Sequence, residues 1–359
     1  MKTFPCHCGN TLYFENSICM VCGRTTGFVP EILRMSGMDQ DAGDLWRDPD
    51  SGERYRKCRN YQTYDVCNWM IPAGDPEPFC RSCRLNLVIP DLDTPQNLTL
   101  WYRVESAKRR LLYTLFELRL PVIDRRQDST RGLGFEFLAD AEDSDEFSNK
   151  LLPQTSVVTG HRAGIITINI REAEDSAREE MRILMNERYR TLLGHFRHEI
   201  GHYYWDWLVA RNGGLERFRE LFGDERDNYT QGLEAYYRDG PPVGWEESWI
   251  SAYASAHPWE DWAETWAHYL HMVDTLETAH DYGFSIDGRR LAALHATGQA
   301  APGYDPAATF ARLIADWSAL TVALNAMNRS MGLPDAYPFV LSGKTLEKLA
   351  FVHSVISRG

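Results

Sequence analysis

All eight cysteines of this 359-residue chain lie between Cys6 and Cys83, and this clustering constrains the fold more than any other feature. In a reducing compartment, clustered cysteines are metal ligands more often than disulfide partners. Four thiolates complete a tetrahedral zinc site and leave no position open, so each group of four predicts a structural zinc ion. The two predicted groups are Cys6, Cys8, Cys19 and Cys22, and Cys58, Cys67, Cys80 and Cys83.

The spacing of these cysteines leaves some alternatives open. Cys6-His7-Cys8 has one residue between its thiols where a zinc knuckle usually has two, so His7 is a competing ligand, and Cys58 and Cys67 are widely separated. Small zinc-ribbon folds of this kind bind nucleic acid or protein about as often as they only stabilise a domain. Residues 1–92 contain 10 Lys+Arg against 12 Asp+Glu, which disfavours nucleic acid despite a small basic cluster at Arg54, Arg56, Lys57 and Arg59. A protein partner is the better expectation for this region.

The overall charge and the distribution of apolar residues exclude several classes of protein. A net charge of −13 works against broad binding to nucleic acid or to an anionic membrane. No apolar run approaches the roughly 18 residues that a membrane helix needs. The first residues, Met1 to Cys6, lack the apolar stretch of a secretory signal. We therefore expect a cytoplasmic protein with no membrane association.

The chain divides near VIPDLDTPQN (88–97), where the cysteine-rich region ends, and we predict one domain at 1–92 and another at 93–359. Apolar residues then recur at helical spacing from Leu100 to Leu118, before Pro121. Two strands are predicted, at 132–140 and at the β-branched segment 164–170, with an exposed acidic loop (EDSDEFSNK) between them. The class is therefore α+β and helix-dominated. The other predicted helices cover 172–210, ended by Asn212-Gly213-Gly214, and 258–276, 305–327 and 343–357.

The segment HEIGH at 198–202 carries the pattern of a zinc-binding helix. Residues four apart share a helix face, so His198 and His202 can hold one ion. Glu199, beside the first ligand, is placed to take a proton from water that the zinc activates. The alternative is a surface helix with two solvated histidines. Against it, the helix is apolar around much of its circumference, for example at Phe196 and Ile200.

A catalytic zinc needs a third protein ligand. The metzincin extension is excluded, because Trp205 and Leu208 occupy the positions of its Gly and His. The segment HPWEDWAETWAHYLH (257–271) is instead similar to the downstream helix of gluzincins, the thermolysin-like peptidases. That resemblance assigns Glu260 as the ligand and Glu264 as the carboxylate that supports a metal histidine. Asp261 and His257 remain competing ligands. The other histidines on these helices, His195, His268 and His271, are expected to be structural.

The resemblance extends over nearly the whole chain. Residues 93–359 resemble a bacterial family of zinc-binding metallopeptidases, and residues 1–92 resemble the zinc-ribbon region attached to it. The segments that carry this likeness are VVTGHRAGIITINIREAED, YRTLLGHFRHEIGHYYWDWL, SAYASAHPWEDWAETWAHYLHMVDTLETA and NRSMGLPDAYPFVLS. The resemblance implies a zincin-like domain in which the strand at 164–170 is a sheet edge that binds extended substrate through its backbone.

These features favour a zinc peptidase that hydrolyses peptide or isopeptide bonds, with Glu199 as base and then acid. Its cofactors would be one catalytic and two structural zinc ions, and its substrate a peptide or protein. The alternative is a zinc-ribbon adaptor that binds protein and whose peptidase-like domain is catalytically silent. The residue that stabilises the oxyanion is left open among four candidates. They are Tyr253, His257, Arg329 and Tyr337.

Overall fold

The computed structural model describes residues 2–139, 159–184, 191–286, 288–293 and 305–358. The chain forms two compact units. One takes its described residues from 2–116 and 122–184, and the other from 117–121 and 185–359. Helices and sheets are both present, which confirms the α+β class. The predicted acidic loop at 142–150 lies outside the described residues.

The N-terminal unit begins with small antiparallel sheets. Strands β1 and β2 pair as a two-stranded ribbon, and β3 to β7 follow one another in a five-stranded sheet whose neighbours are all antiparallel. A short helix, α1, covers Arg59–Tyr64 between β6 and β7. The strands are β1 (Phe4–Pro5), β2 (Thr11–Leu12), β3 (Thr25–Val29), β4 (Arg34–Gln40), β5 (Leu45–Arg47), β6 (Arg54–Lys57) and β7 (Met70–Pro72).

Helix α2 (Pro95–Glu117) completes the core of this unit. The apolar face predicted from Leu100 to Leu118 is buried. From the same helix, the ring of Tyr113 meets Phe14 at 5.6 Å and Phe28 at 6.0 Å between centroids. The cysteine-rich region therefore shares one core with α2, because its own strands are too short to bury these aromatic rings. The compact unit therefore contains α2 together with the cysteine-rich region. The predicted division into domains at 92 and 93 stays a prediction.

A four-stranded mixed sheet completes the N-terminal unit. Its strands are β8 (Asn86–Val88), β9 (Gly134–Leu138), β10 (Gly160–Arg162) and β11 (Ile165–Asn169), in the order β10-β11-β9-β8. The expectation that 164–170 is a substrate-binding edge is wrong, since β11 pairs antiparallel with β10 on one side and parallel with β9 on the other. Both of its backbone edges are used, so no peptide can add to it. Helix α3 (Asp175–Leu184) follows the sheet.

The C-terminal unit is built mainly from helices. The single helix predicted over 172–210 is instead interrupted, because Thr191 has extended backbone and caps a new helix by accepting a hydrogen bond from the Gly194 amide at 3.0 Å. This helix, α4, continues as a π-helix over Trp205–Ala210. The other predicted helices are present. The elements are α4 (Leu192–Tyr204), α5 (Leu215–Phe222), α6 (Tyr229–Asp239), α7 (Pro258–Asp281), the pair β12 (Ser285–Ile286) and β13 (Arg289–Arg290), α8 (Pro306–Ser330) and α9 (Gly343–Ile356).

Helices α4 and α7 cross at very short range. A Cβ atom on Gly201 would lie 3.1 Å from the Cα of Ala263, so only glycine allows this approach without displacement of the neighbouring helix. The indole of Trp262 donates to the Gly201 carbonyl at 2.8 Å, and Arg197 on α4 pairs with Asp274 on α7. The crossing fixes the register of the two helices and brings the faces that carry His198 and Glu260 together.

Helix α8 is the one helix in the described part of the chain that is long and apolar enough to cross a membrane, judged by length and composition only. A core helix of a soluble protein meets the same criterion. On one side α8 buries Leu313, Trp317 and Leu320, and with them the carboxylate of Asp316, which pairs with Arg289.

Candidate metal centres

The two predicted cysteine groups are each assembled in the N-terminal unit, and within each group the four sulfurs lie within 4.8 Å of one another. The distance is 3.8 Å for Cys6–Cys22 and for Cys8–Cys19, and 3.7 Å for Cys67–Cys80. A tetrahedron with Zn–S bonds of about 2.3 Å places its sulfurs about 3.8 Å apart, whereas a disulfide requires about 2.05 Å. The spacing therefore fits two Cys₄ zinc sites.

The two cysteine sites differ in their access to solvent. In the first, Cys8 is exposed and Cys22 is half-buried, whereas all four cysteines of the second are buried. Backbone amides also donate to the second set, from Trp69 to Cys67 Sγ at 3.4 Å and from Cys80 to Cys58 Sγ at 3.4 Å. Burial and these hydrogen bonds protect the second site from exchange with solutes.

We predict that a chelator removes the Cys6/Cys8/Cys19/Cys22 zinc at least several-fold faster than the Cys58/Cys67/Cys80/Cys83 zinc. A chelator must reach the metal, and only the first site offers an exposed ligand. Mass spectrometry of thiols alkylated during a chelator time course would measure the order. Alkylation that appears first at the second set would contradict this prediction.

His7, the competing zinc ligand, and the basic cluster considered for nucleic-acid binding both contact other residues of this unit. His7 Nδ1 lies 2.6 Å from Asp50 Oδ1 on the surface, and the four sulfurs of the first group meet without it. Three members of the basic cluster are engaged within the unit. Arg54 pairs with Asp41 at 2.7 Å, Arg56 donates to backbone carbonyls, and the Lys57 ammonium lies over the ring of Trp46 at 4.6 Å. These contacts reduce the positive charge that would face a nucleic acid.

A third group, His198, His202 and Glu260, lies in the C-terminal unit. His198 Nε2 is 2.9 Å from Glu260 Oε2, and His202 Nε2 is 3.6 Å from Glu260 Oε1. All three side chains are largely buried, with exposed fractions of 13%, 5% and 1%. The structure thus brings together the two ligands predicted on α4 and the third ligand predicted on α7.

The donor atoms of this group fit a zinc ion. Zn–N and Zn–O bonds of about 2.0–2.2 Å place neighbouring ligand atoms about 3.4 Å apart. The distance of 2.9 Å from His198 Nε2 to Glu260 Oε2 is close to this, and the ligand atoms of all three residues lie within 4.8 Å of one another. Glu260 Oε2 is buried and accepts no hydrogen bond from the described residues, although it lies 2.9 Å from His198 Nε2. Such an atom is costly to bury unless it binds a cation. The three residues therefore fit a zinc site with two imidazoles and one carboxylate.

Glu264 supports the first histidine, as the resemblance implied. Its Oε1 lies 2.7 Å from His198 Nδ1, and its Oε2 accepts a hydrogen bond from Ser251 at 2.6 Å. Burial raises the pKa of Glu264, but the hydrogen bond and charge of His198 outweigh it and lower the pKa to about 2. An ionised Glu264 fixes the orientation of the imidazole, so that Nε2 faces Glu260. Ser251 was not identified from the sequence.

Glu199 lies next to the first ligand on α4 and is 9% exposed. Tyr229 is close by, and its hydroxyl donates to Glu260 Oε1 at 2.8 Å. Burial raises the pKa of Tyr229, and the negative charges of Glu260 and Glu199 raise it further. The role of Glu199 as a base stays a prediction. Tyr229 was missed because no sequence spacing links it to Glu260, 31 residues away.

The competing ligands are engaged elsewhere. Asp261 pairs with Lys348 of α9 at 2.5 Å, and His257 caps α7 by accepting a hydrogen bond from the Trp259 amide at 3.1 Å. His268 Nδ1 lies 2.8 Å from the Tyr337 hydroxyl, and burial lowers the pKa of this histidine to about 4. His271 packs against Trp317 with ring centroids 5.7 Å apart. These histidines have the structural environment that was expected of them.

Of the four oxyanion candidates, only Tyr253 lies beside the metal ligands, with its ring 6.0 Å from that of His198. Arg329 pairs with Asp335 at 2.6 Å on the surface, and Tyr337 contacts His268. The remaining candidate, His257, is the cap of α7. Tyr253 also meets Tyr236 of α6, with ring centroids 5.6 Å apart.

The comparisons with known proteins agree with this geometry. The model of a family described as "Putative zinc-binding metallo-peptidase" matches residues 97–355, and that of a zinc-ribbon domain matches residues 3–94. Uncharacterized proteins of Mycobacterium tuberculosis and Mycobacterium bovis are 42% identical over 358 residues, which cover 99% of this chain and 95% of each relative. No solved structure matches the chain.

Proposed function

This chain belongs to the zinc-binding metallo-peptidase family, and from that premise we propose that it is a zinc-dependent peptidase that hydrolyses peptide or isopeptide bonds. The observation that carries the proposal is the convergence of His198, His202 and Glu260, with Glu199 beside them and Glu264 on His198. A protein that only stored or carried zinc would not need a carboxylate next to the ligands, whereas a hydrolase needs one to move protons.

The residues of the site can be given separate tasks. Bound by His198, His202 and Glu260, a zinc ion would supply a Lewis acid that polarises a carbonyl and acidifies water. Glu199 is proposed to accept the proton of the attacking water and to deliver it to the departing amine. Tyr253 is proposed to donate a hydrogen bond to the carbonyl oxygen as it gains negative charge. Burial raises the pKa of Tyr253, so its hydroxyl stays protonated and able to donate at neutral pH.

We expect three zinc ions per chain after gentle purification, two held by cysteines and one by the His₂Glu group. Elemental analysis of the parent and of His202→Ala would measure this, and the variant should retain two. His353→Ala, in which a buried histidine remote from the group is removed, is the control and should retain three. No more than two zinc ions in the parent would count against the catalytic site.

The activity itself is tested by digestion of an unbiased peptide library, with products identified by mass spectrometry. The proposal expects cleavage that stops when zinc is removed and returns when zinc is added. A library without zinc-dependent cleavage would favour the alternative, a zinc-ribbon adaptor with a catalytically silent domain. In either case we propose that the N-terminal unit recruits a protein partner rather than nucleic acid.

A further inference from the structure

We infer that Tyr229 is a positioning residue of the metal site and that it couples helix α6 to zinc affinity. The inference does not depend on turnover, because it concerns how the chain holds the ion. Tyr229 is the first residue of α6, and its hydroxyl donates to Glu260 Oε1 at 2.8 Å. Glu260 is 1% exposed, whereas Tyr229 is 39% exposed. A single hydrogen bond therefore connects a buried metal ligand with a surface helix.

Helix α6 lies on the surface. None of its residues is fully buried, so apolar burial contributes little to its docking. It contacts residues at the start of α7 and in the turn before it. Just before α6, the carbonyl of Asp227 lies 3.1 Å from His257 Nε2. Within α6, Gly232 approaches Ala256 so closely that a Cβ atom would lie 2.6 Å from its carbonyl oxygen, and Tyr236 meets Tyr253.

The Tyr229 hydroxyl also determines which oxygen of Glu260 is free to bind a metal. It occupies Oε1, and Oε2 is left without a hydrogen bond 2.9 Å from His198 Nε2. A carboxylate fixed in this way presents one oxygen to the metal. Without the hydroxyl, Oε1 would lose a hydrogen bond in a buried place and the carboxylate could turn to present both oxygens. Partners of metal ligands typically contribute a factor of about 10–100 in affinity.

The coupling must act in both directions. If the Tyr229 hydroxyl strengthens zinc binding, bound zinc strengthens the attachment of Tyr229 by the same free energy. This attachment acts at the N-terminal end of α6, together with the contact of Asp227 with His257 and the ring contacts of Tyr229. A zinc ion at His198, His202 and Glu260 would therefore hold α6 against α7, and a displacement of α6 would weaken zinc binding.

Tyr229→Phe tests the inference, since it removes the hydroxyl and keeps the ring contacts with His257 and Trp259. We expect the zinc affinity of the His₂Glu site to fall about 10-fold. Cobalt titration distinguishes this site from the cysteine sites, because cobalt bound to thiolates has intense charge-transfer bands that the His₂Glu site lacks. The visible bands of cobalt at the His₂Glu site should also weaken, as the carboxylate presents its second oxygen and the coordination number rises.

Tyr282→Phe is the matched control. It removes a hydroxyl from an exposed tyrosine at the C-terminal end of α7 and should leave zinc affinity and the cobalt spectrum unchanged. Circular dichroism and the count of cysteine-bound zinc would show that both variants are folded. A folded Tyr229→Phe protein with the zinc affinity of the parent would overturn the inference, whether or not the parent cleaves peptides.

Gly232→Ala provides a second test that keeps the tyrosine. The new methyl group would meet the Ala256 carbonyl and push α6 outward, so zinc affinity should fall although every ligand is present. The double variant Tyr229→Phe/Gly232→Ala should bind zinc as tightly as whichever single variant has the lower zinc affinity. The reason is that both changes break the same connection between α6 and Glu260. If Gly232→Ala weakens binding equally with and without the hydroxyl, α6 does not act through Tyr229 and the inference is wrong.

Discussion

Glu199→Gln is expected to keep all three zinc ions and to lower the rate of peptide hydrolysis by about 10²–10⁴-fold, the usual contribution of a general base. The amide has nearly the shape of the carboxylate but cannot accept a proton. The metal should be retained because His198, His202 and Glu260 form their cluster without Glu199. The measurement is the initial rate on a peptide taken from the library digest, together with zinc content.

The matched control for this prediction is Glu347→Gln, which neutralises an exposed glutamate on α9 and should not change the rate. Two outcomes would contradict the role given to Glu199. If the variant cleaves as fast as the parent, another group takes the proton. If it loses the third zinc together with activity, Glu199 is needed to assemble the site rather than to transfer protons.

Lys348→Met is expected to lower the free energy of unfolding by about 3–5 kcal/mol, the usual result of removing one partner of a buried ion pair. The Lys348 ammonium lies 2.5 Å from Asp261 Oδ2, and the two side chains are 5% and 0% exposed. It also donates to the Ser248 carbonyl at 2.7 Å. Methionine fills a similar volume but leaves the Asp261 carboxylate buried without its cation.

The control for this second prediction lies one turn earlier on the same helix. Lys344 is exposed, and Lys344→Met should change the free energy of unfolding by less than about 0.5 kcal/mol. Urea unfolding followed by tryptophan fluorescence would measure both variants. If Lys348→Met and Lys344→Met have the same free energy of unfolding, the Asp261–Lys348 pair contributes no more to stability than a surface contact does. Because Asp261 adjoins Glu260, the less stable variant should also bind the third zinc more weakly.

The metal ligands on α4 and α7 show what residue spacing within a helix can predict. His198 and His202 face one ion because residues four apart lie on the same side of any α-helix. The same helical spacing, read with the family resemblance, gave Glu264 as the partner of His198, and the structure places it 2.7 Å away. The two cysteine groups could also be predicted from the sequence, because eight thiols clustered in residues 6–83 are most often zinc ligands.

Other features depended on contacts between distant segments. Glu260, Asp261 and His257 were all ligand candidates. In the structure Glu260 meets the two histidines, whereas Asp261 pairs with Lys348 and His257 caps α7. The strand at 164–170 was correctly predicted as a strand but wrongly as an edge. Its neighbours are set by pairing with β9 and β10, which the residues of the strand itself do not specify.

The sequence by itself thus determined which side chains are candidates to bind zinc, and it predicts Glu199 as the carboxylate that moves a proton. Backbone geometry is nearly the same in every α-helix, so spacing alone places His198 and His202 on one face. Only the tertiary structure decided that Asp261 and His257 make other contacts, that Tyr229 and Ser251 hydrogen-bond to the carboxylates of Glu260 and Glu264, and that α2 shares its core with the cysteine region. Those contacts depend on how side chains far apart in sequence fill space together, and no local pattern encodes that packing.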